Sequence, residues 1–425
     1  MPTFPSFVIV PGLISLLMNG AACAADQTAP PATPPASTAD DGRAVFLRLL
    51  AAAPAVQAAQ ERRHAADHAA GAAGRLPDPM LGAGYARKST SADRWPMYDV
   101  SLEQPLPRWG ERTAQRTRAA AEQAMGAADL HEVTGDVAAE VATLLADAEA
   151  ARATLALLDE QIARATVLRN SIAVRVASGT GRPADLLGID SRLAALAVER
   201  DTTQRLVADA AQDARARLGL AADAALPPFV APDRTRLVLD QVPGVLNAQA
   251  RSAEAEAMFG EARASRYPET AVGVRYEREV QPGDPMNTVG LEVRVSLPVW
   301  QGASANLEDA AAARRRAAQR DAEQWQQRAQ AALGRAERAA AVAERARASA
   351  QGTSARLTAE YDAMIRTTAT PSGGELIAVF DILDRLSDAR RQVIDAEAAA
   401  HQAEASLWRL APPDLPTLSS ERNQP

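Results

Sequence analysis

The sequence predicts a mainly α-helical chain with a membrane β-barrel portion, made of two copies of one helix, strand-hairpin and long helical-hairpin unit. Three observations predict it: an internal repeat, two unbroken heptad seams, and four short strands that alternate apolar with polar residues. The segment Leu76-Pro77-Asp78-Pro79-Met80-Leu81-Gly82-Ala83-Gly84-Tyr85 is echoed by Tyr267-Pro268-Glu269-Thr270-Ala271-Val272-Gly273-Val274-Arg275-Tyr276, at an offset of 191. Downstream, Tyr98, Val100, Leu102, Gln104, Pro105 and Leu106 align with Leu291, Val293, Val295, Leu297, Pro298 and Val299, at an offset of 193. Upstream, Pro54-Ala55-Val56 matches Pro243-Gly244-Val245, so the copies begin before the strands. A unit this long is half of a domain and not a solenoid repeat.

Composition narrows the class. Of 425 residues 47% are hydrophobic but only 4% aromatic, which suits long helices packed through small alanine side chains better than a compact globule. A net charge of -7 gives no basic field for nucleic acid. Residues 1–24 are uncharged, with an apolar stretch from Phe7 to Met18 that is too short to span a bilayer and is followed by small residues. They read as a secretory signal cleaved before Ala25. Cys23, the only cysteine, admits two readings, lipidation within Gly20-Ala21-Ala22-Cys23 or loss with the signal.

The elements follow in order. Residues 25–42 form a Pro/Ala/Thr linker of disordered composition. The first repeat, 43–220, opens on a helix from Arg43 to Gly74 that breaks at Pro54. Strands are expected at about 79–87 and 97–106, then a helix from about 111 to 177. In that helix Val137, Val141, Leu144, Ala148, Ala151, Leu155, Leu158 and Ile162 alternate spacings of four and three, a coiled-coil seam. At 1.5 Å per residue the rod is roughly 100 Å long. Ser178-Gly179-Thr180-Gly181-Arg182-Pro183 supplies a stop, a turn and a first-turn proline, so Pro183 to Leu218 must run back along it.

An irregular bridge, 221–242, leads to the second repeat, 243–410, with strands at about 270–278 and 288–297. Its long helix carries an alanine seam through Ala318, Ala322, Trp325, Ala329, Ala332, Ala336, Ala339, Ala343, Ala346 and Ala350. The turn falls within Ala363 to Gly374, the return helix runs to about Leu410, and 411–425 reads as a loose tail.

Each strand has the length that a tilted strand needs to cross a bilayer. Val289, Leu291, Val293, Val295 and Leu297 share one face of the last strand, opposite Gly290, Glu292, Arg294 and Ser296. Tyr98, Val100, Leu102 and Leu106 likewise oppose Asp99, Ser101 and Glu103, and Val272, Val274 and Tyr276 oppose Arg275 and Glu277. Tyr85, Trp95, Trp109, Tyr267 and Trp300 sit near strand ends, where interfacial aromatics belong. Open edges are not allowed in lipid and four strands cannot close, so a barrel requires several chains; three would give twelve strands, and two would give eight with a lumen filled by side chains.

These residues resemble the TolC family of outer-membrane efflux proteins over roughly residues 43–410, and the run Gln104-Pro105-Leu106-Pro107-Arg108-Trp109-Gly110-Glu111-Arg112 resembles its heavy-metal efflux branch. The resemblance implies a homotrimer whose twelve-stranded barrel continues into an α-helical periplasmic tunnel. It implies a passive exit duct in the outer membrane of a Gram-negative bacterium. The implied partners are outer-membrane lipid, a periplasmic adaptor (membrane fusion) protein and an inner-membrane pump of the RND type; heavy-metal cations are an implied cargo.

It also implies site residues. Asp381-Ile382-Leu383-Asp384 matches the family's constriction motif, with Asp185 in the related place of the first copy. In a trimer, Asp381 and Asp384 would surround a narrow throat, drawing cations and raising one another's pKa; alternatively they are helix-start acids favoured by the macrodipole. Tyr361 fits the aromatic before the turn, and Arg366 is the candidate for a gate-locking bond to Asp185. Gly179, Gly181, Pro183, Gly373 and Gly374 mark the helix tips that would meet the adaptor.

Little else carries chemistry. His64 and His68 share a helix face beside Asp67 but lack a third ligand, so no metal site is assigned. No phosphate loop or nucleophile with a spaced base occurs, so neither an enzyme nor a cofactor is expected. Two rivals remain: a periplasmic or secreted coiled-coil scaffold, which leaves the alternating strands unused, and a diffusion porin, which should be mostly strand.

Overall fold

A computed structural model describes residues 38–89, 93–281, 283–296, 302–367 and 373–415. The chain runs α1 (Thr38–Ala52), α2 (Pro54–Ala72), β1 (Met80–Ser89), β2 (Arg94–Leu106), α3 (Glu111–Ala177) and α4 (Pro183–Leu218). The second copy follows with α5 (Pro243–Ala264), β3 (Glu269–Gln281), β4 (Asp284–Ser296), α6 (Gly302–Thr367) and α7 (Gly373–Ser406). The helix break at Pro54 and the bounds of α3 and α4 are as expected from sequence. Gly110 (φ 84°) turns the chain into α3, and Gly179 (φ 75°) and Gly219 (φ 67°) end α3 and α4 in the left-handed region open to glycine.

Several boundaries differ. Thr38–Ala52 is helical, so the linker does not extend to 42; residues 25–37 lie outside the description. β2, β3 and β4 each have 13 residues, because hairpin pairing carries the ladder past the alternating cores that the sequence revealed. α6 continues to Thr367 and α7 starts at Gly373, so Gly373 and Gly374 begin a helix instead of lying in the turn.

The expected loose tail is held at its start. Ala411 is buried, Asp414 pairs with Arg236, and Leu415 packs on the core. That core gathers α1 (Phe46, Leu50), the middle of α3 (Val137, Val141, Leu145), Leu218, Val230 of the bridge, and Trp408. Trp408 is 1% exposed, lies 5.9 Å from the Phe46 ring, and donates its indole N–H to the Val230 carbonyl at 3.2 Å. Gly135 is required beneath it, since a Cβ there would come within 2.7 Å of the Trp408 carbonyl oxygen. The seam on α3 is therefore only part of its buried surface: Ala138, Ala142 and Ala146, off the seam, are also fully covered.

The four strands form one antiparallel sheet in the order β1-β2-β3-β4, joining the two copies through β2 and β3. Within the chain, β1 and β4 are each paired on one side only. No helix among the described residues is long and apolar enough to cross a membrane.

Candidate functional site

Cross-strand register decides which residues share a face. Leu81 pairs with Leu102, Leu102 with Val274, and Val274 with Leu291. A second row runs Ala83, Val100, Tyr276 and Val289. All four strands therefore present one continuous apolar face, and it is bare: Leu81, Val289 and Leu291 are 75%, 72% and 89% exposed. Val293 and Val295 belong to it, as expected; Leu297 and Trp300 lie outside the described residues.

The opposite face is charged. It carries Asp99, Glu103, Glu269, Glu277, Glu279, Asp284 and Glu292 against Lys88, Arg275 and Arg294. Arg294 bonds Glu103 at 2.8 Å and Glu292 at 3.1 Å; Arg275 bonds Glu292 at 3.3 Å; Lys88 pairs with Glu277 and Glu279. Gly82 and Gly84 leave room on this face, where a Cβ would strike Ser101 and Asp99. Trp95 is corrected: register with Lys88 puts it on the charged face, where it is buried and its indole N–H meets Glu279 at 3.4 Å. A strand-end position alone does not reveal the face; parity does.

Where sheet meets helices, the Pro/Trp/Gly run acts as a clamp. Gln104 donates to the Pro77 carbonyl at 2.7 Å, Arg108 pairs with Glu269 at 2.5 Å, and Arg112 donates to the Gly74 carbonyl at 2.9 Å. Trp109 stands out at 82% exposed, and Tyr85 and Tyr267 are exposed as an interfacial role requires.

At the far end of the rods, α3, α4 and α7 enclose a cleft of about 740 Å³. Asp185 and Asp384 both line it, together with Gly181, Leu168, Ile172 and Leu383. Gly181 is fixed by close approach, a Cβ falling 2.7 Å from the Val176 nitrogen. Pro183 is the first residue of α4. Four arginines, Arg164, Arg175, Arg182 and Arg192, line the same cleft.

The acids expected as a bare ring are paired within the chain. Arg192 binds Asp384 in bidentate fashion at 2.8 and 2.5 Å, and Arg385 binds Asp381 at 2.5 Å. Further pairs tie α7 to its neighbours, Arg390 to Glu160 at 2.9 Å and Arg391 to Glu199 at 2.8 Å. Sequence reasoning missed Arg192. The repeat offers a signal: Arg192 and Asp384 are 192 residues apart, while Glu103–Arg294 and Lys88–Glu279 are 191 apart. Opposite charges thus occur at separations that match the offset between copies. Tyr361 is half-buried near the end of α6, and the Arg366 side chain lies outside the description.

A sequence model of outer membrane efflux proteins matches residues 46–222, the first repeat. The chain also superposes on solved structures through both repeats. It shares 15% identity and a TM-score of 0.69 with CusC, whose structures concern folding and transmembrane channel formation, over 88% of this chain and 92% of that one. The first copy of the unit thus carries the sequence pattern of outer membrane efflux proteins, and both copies carry the fold. Other solved structures agree on the fold: the outer membrane protein VceC of Vibrio cholerae (15% identity, TM-score 0.66, 88% and 96% covered) and the open-state MtrE outer membrane channel of Neisseria gonorrhoeae (14%, 0.69, 87% and 88%). No curated protein sequence matches this chain. Outer-membrane channels of that family are non-enzymatic transport ducts, and this chain shares their TolC-like fold of long helices and barrel strands.

Proposed function

We propose that the chain is the outer-membrane channel of a tripartite efflux system, a passive duct for substrates delivered by an inner-membrane pump through a periplasmic adaptor. The observation that carries this is the sheet: one face with bare apolar rows across all four strands, the other rich in charge, with both edges half-paired. In lipid such a sheet must close, and three chains give a twelve-stranded barrel with the charged face inward. The outer membrane of a Gram-negative bacterium is where such a barrel sits, its helices extending into the periplasm. A coiled-coil scaffold would leave the apolar face without a partner.

The lumen charge supports a cargo class. Seven carboxylates against three bases on the inward face favour cations, heavy-metal ions among them, and the resemblance of the Gln104–Arg112 run to the metal-efflux branch points the same way. At the tip, Asp381, Asp384 and Asp185 form the periplasmic constriction. The Arg192–Asp384 bridge supports a closed state in which α4 holds α7, a role that the sequence reading gave to Arg366. Gly179, Gly181, Pro183, Gly373 and Gly374 mark the ends that meet the adaptor.

The test is assembly. Native mass spectrometry in detergent should show a trimer, and a stable monomer would refute the channel. Val293→Arg places a charge on the lipid face, at a cost of about 2–4 kcal/mol per chain near the bilayer midplane, and should abolish the trimer. Arg294→Val, on the inward face, should leave it largely formed; equal assembly of the two variants would refute the assignment of faces.

A further inference from the structure

The apolar face of the sheet carries a second, localised feature. Among the described residues of that face there are three charges: Arg87, Arg94 and Arg278. All are arginine, all are exposed, and all lie at the hairpin end of the strands, away from the helices. The same face bears no carboxylate among its described residues. The contrast with the inward face is sharp: there, Lys88, Arg275 and Arg294 are all ion-paired.

Register places the three at one end of the shared face. Tyr85 pairs with Tyr98 and Tyr98 with Arg278, forming one row across β1, β2 and β3. Arg87 stands two residues beyond Tyr85, and Arg94 pairs with Ser89, two residues beyond Arg87. Arg87 and Arg94 are thus diagonal neighbours, about 7–8 Å apart, while Arg278 on the next strand stands roughly 12–14 Å from them by strand spacing and rise. The Tyr85 and Tyr98 rings lie 5.4 Å apart, and Arg87 Nε donates to the Tyr85 hydroxyl at 3.1 Å.

The tyrosine row gives the depth. Tyrosine settles at the membrane–water boundary, so the arginines just beyond it stand at headgroup level, above the apolar rows of Leu81 to Leu291. Guanidinium groups at that level, with no carboxylate among the described residues of their face, match phosphate, which they grip by paired N–H donors. We infer that Arg87, Arg94 and Arg278 form a docking site for phosphorylated lipid headgroups of the outer leaflet. The inference rests on the membrane reading of the sheet. It assigns each chain a lipid site and makes the barrel's outer surface distinguish the two leaflets, since the helix-side end of this face has no charge among its described residues.

The experiment uses the full-length oligomer purified from outer membranes, with bisphosphorylated lipid A and its phosphate-free form as probes, and bound lipid counted by native mass spectrometry. Outer-membrane fractionation and heat-modifiable oligomer formation are scored first, so failure there overturns the channel reading itself. The parent should retain bisphosphorylated lipid A and release the phosphate-free form. Joint replacement of Arg87, Arg94 and Arg278 by Gln should lower retention by about tenfold, the loss expected for charge-assisted bonds. Arg275→Gln, the same charge change on the inward face, should retain lipid like the parent. Should the triple variant fail to assemble, Arg278→Gln alone must still weaken retention. Equal retention by parent and variants, or equal binding of the two lipids, overturns the site.

Discussion

The equator and the tip of this chain are held by different physics. At the equator, Phe46, Leu50, Val141, Leu218 and Trp408 are 2% exposed or less and come from four distant parts of the chain. At the tip, α4 and α7 are joined by Arg192–Asp384 and Arg391–Glu199, whose side chains are about 40–50% exposed. Packed apolar surface is non-directional and costly to open; an ion pair in water is worth about 0–1 kcal/mol. A duct of the proposed kind, fixed at its middle and opening at its end, would use this division.

Breaking the equator should have the largest effect. Trp408→Ala removes a buried indole, its bond to Val230 and its contact with Phe46, at a cost of about 3–5 kcal/mol. Chemical denaturation should show that loss. If Trp408→Ala is no more costly than loss of a tip ion pair, the contrast between the regions fails.

At the tip the effect on stability should be small and the effect on conductance large. Arg192→Ala should cost about 0–1 kcal/mol yet raise the open fraction in planar bilayers, and the exchange Arg192→Asp with Asp384→Arg should restore closure. Joint Asp381→Ala and Asp384→Ala should weaken cation selectivity and block by trivalent ions while the oligomer still forms. Unchanged conduction and block would make these acids ordinary ion-paired residues of the α7 surface.

The smallest effect sharpens the equator. Burial lowers the His131 pKa from the usual 6.5, with Arg63 and Arg236 acting in the same direction and Asp414 against them. The folded state thus favours the neutral imidazole, so its contribution to stability is present above 6.5 and is lost as pH falls towards the lowered value. Thermal melts should fall on acidification below 6.5, and His131→Gln should flatten that part of the profile. An unchanged slope would assign the dependence to other groups.

Much of this was legible in the residues. Proline and glycine punctuation placed α3 and α4, because it acts on local dihedral angles. Alternation placed Val289 to Val295 on one face, because strand parity is a property of consecutive residues. The repeat marked the two halves, and the Asp-Ile-Leu-Asp run drew attention to α7. What lay beyond such local signals came out differently: the tail at 411–415 is anchored, and Trp95 turned inward.

The sequence by itself determined the elements, their periodicity and the sidedness of each strand, since all three follow from neighbours along the chain. Only the tertiary structure decided that Trp408 meets Phe46 and Val230, that Arg192 neutralises Asp384, and that Arg87, Arg94 and Arg278 share one end of one face. Those facts depend on which distant segments pair and in what register, and no local pattern encodes that choice.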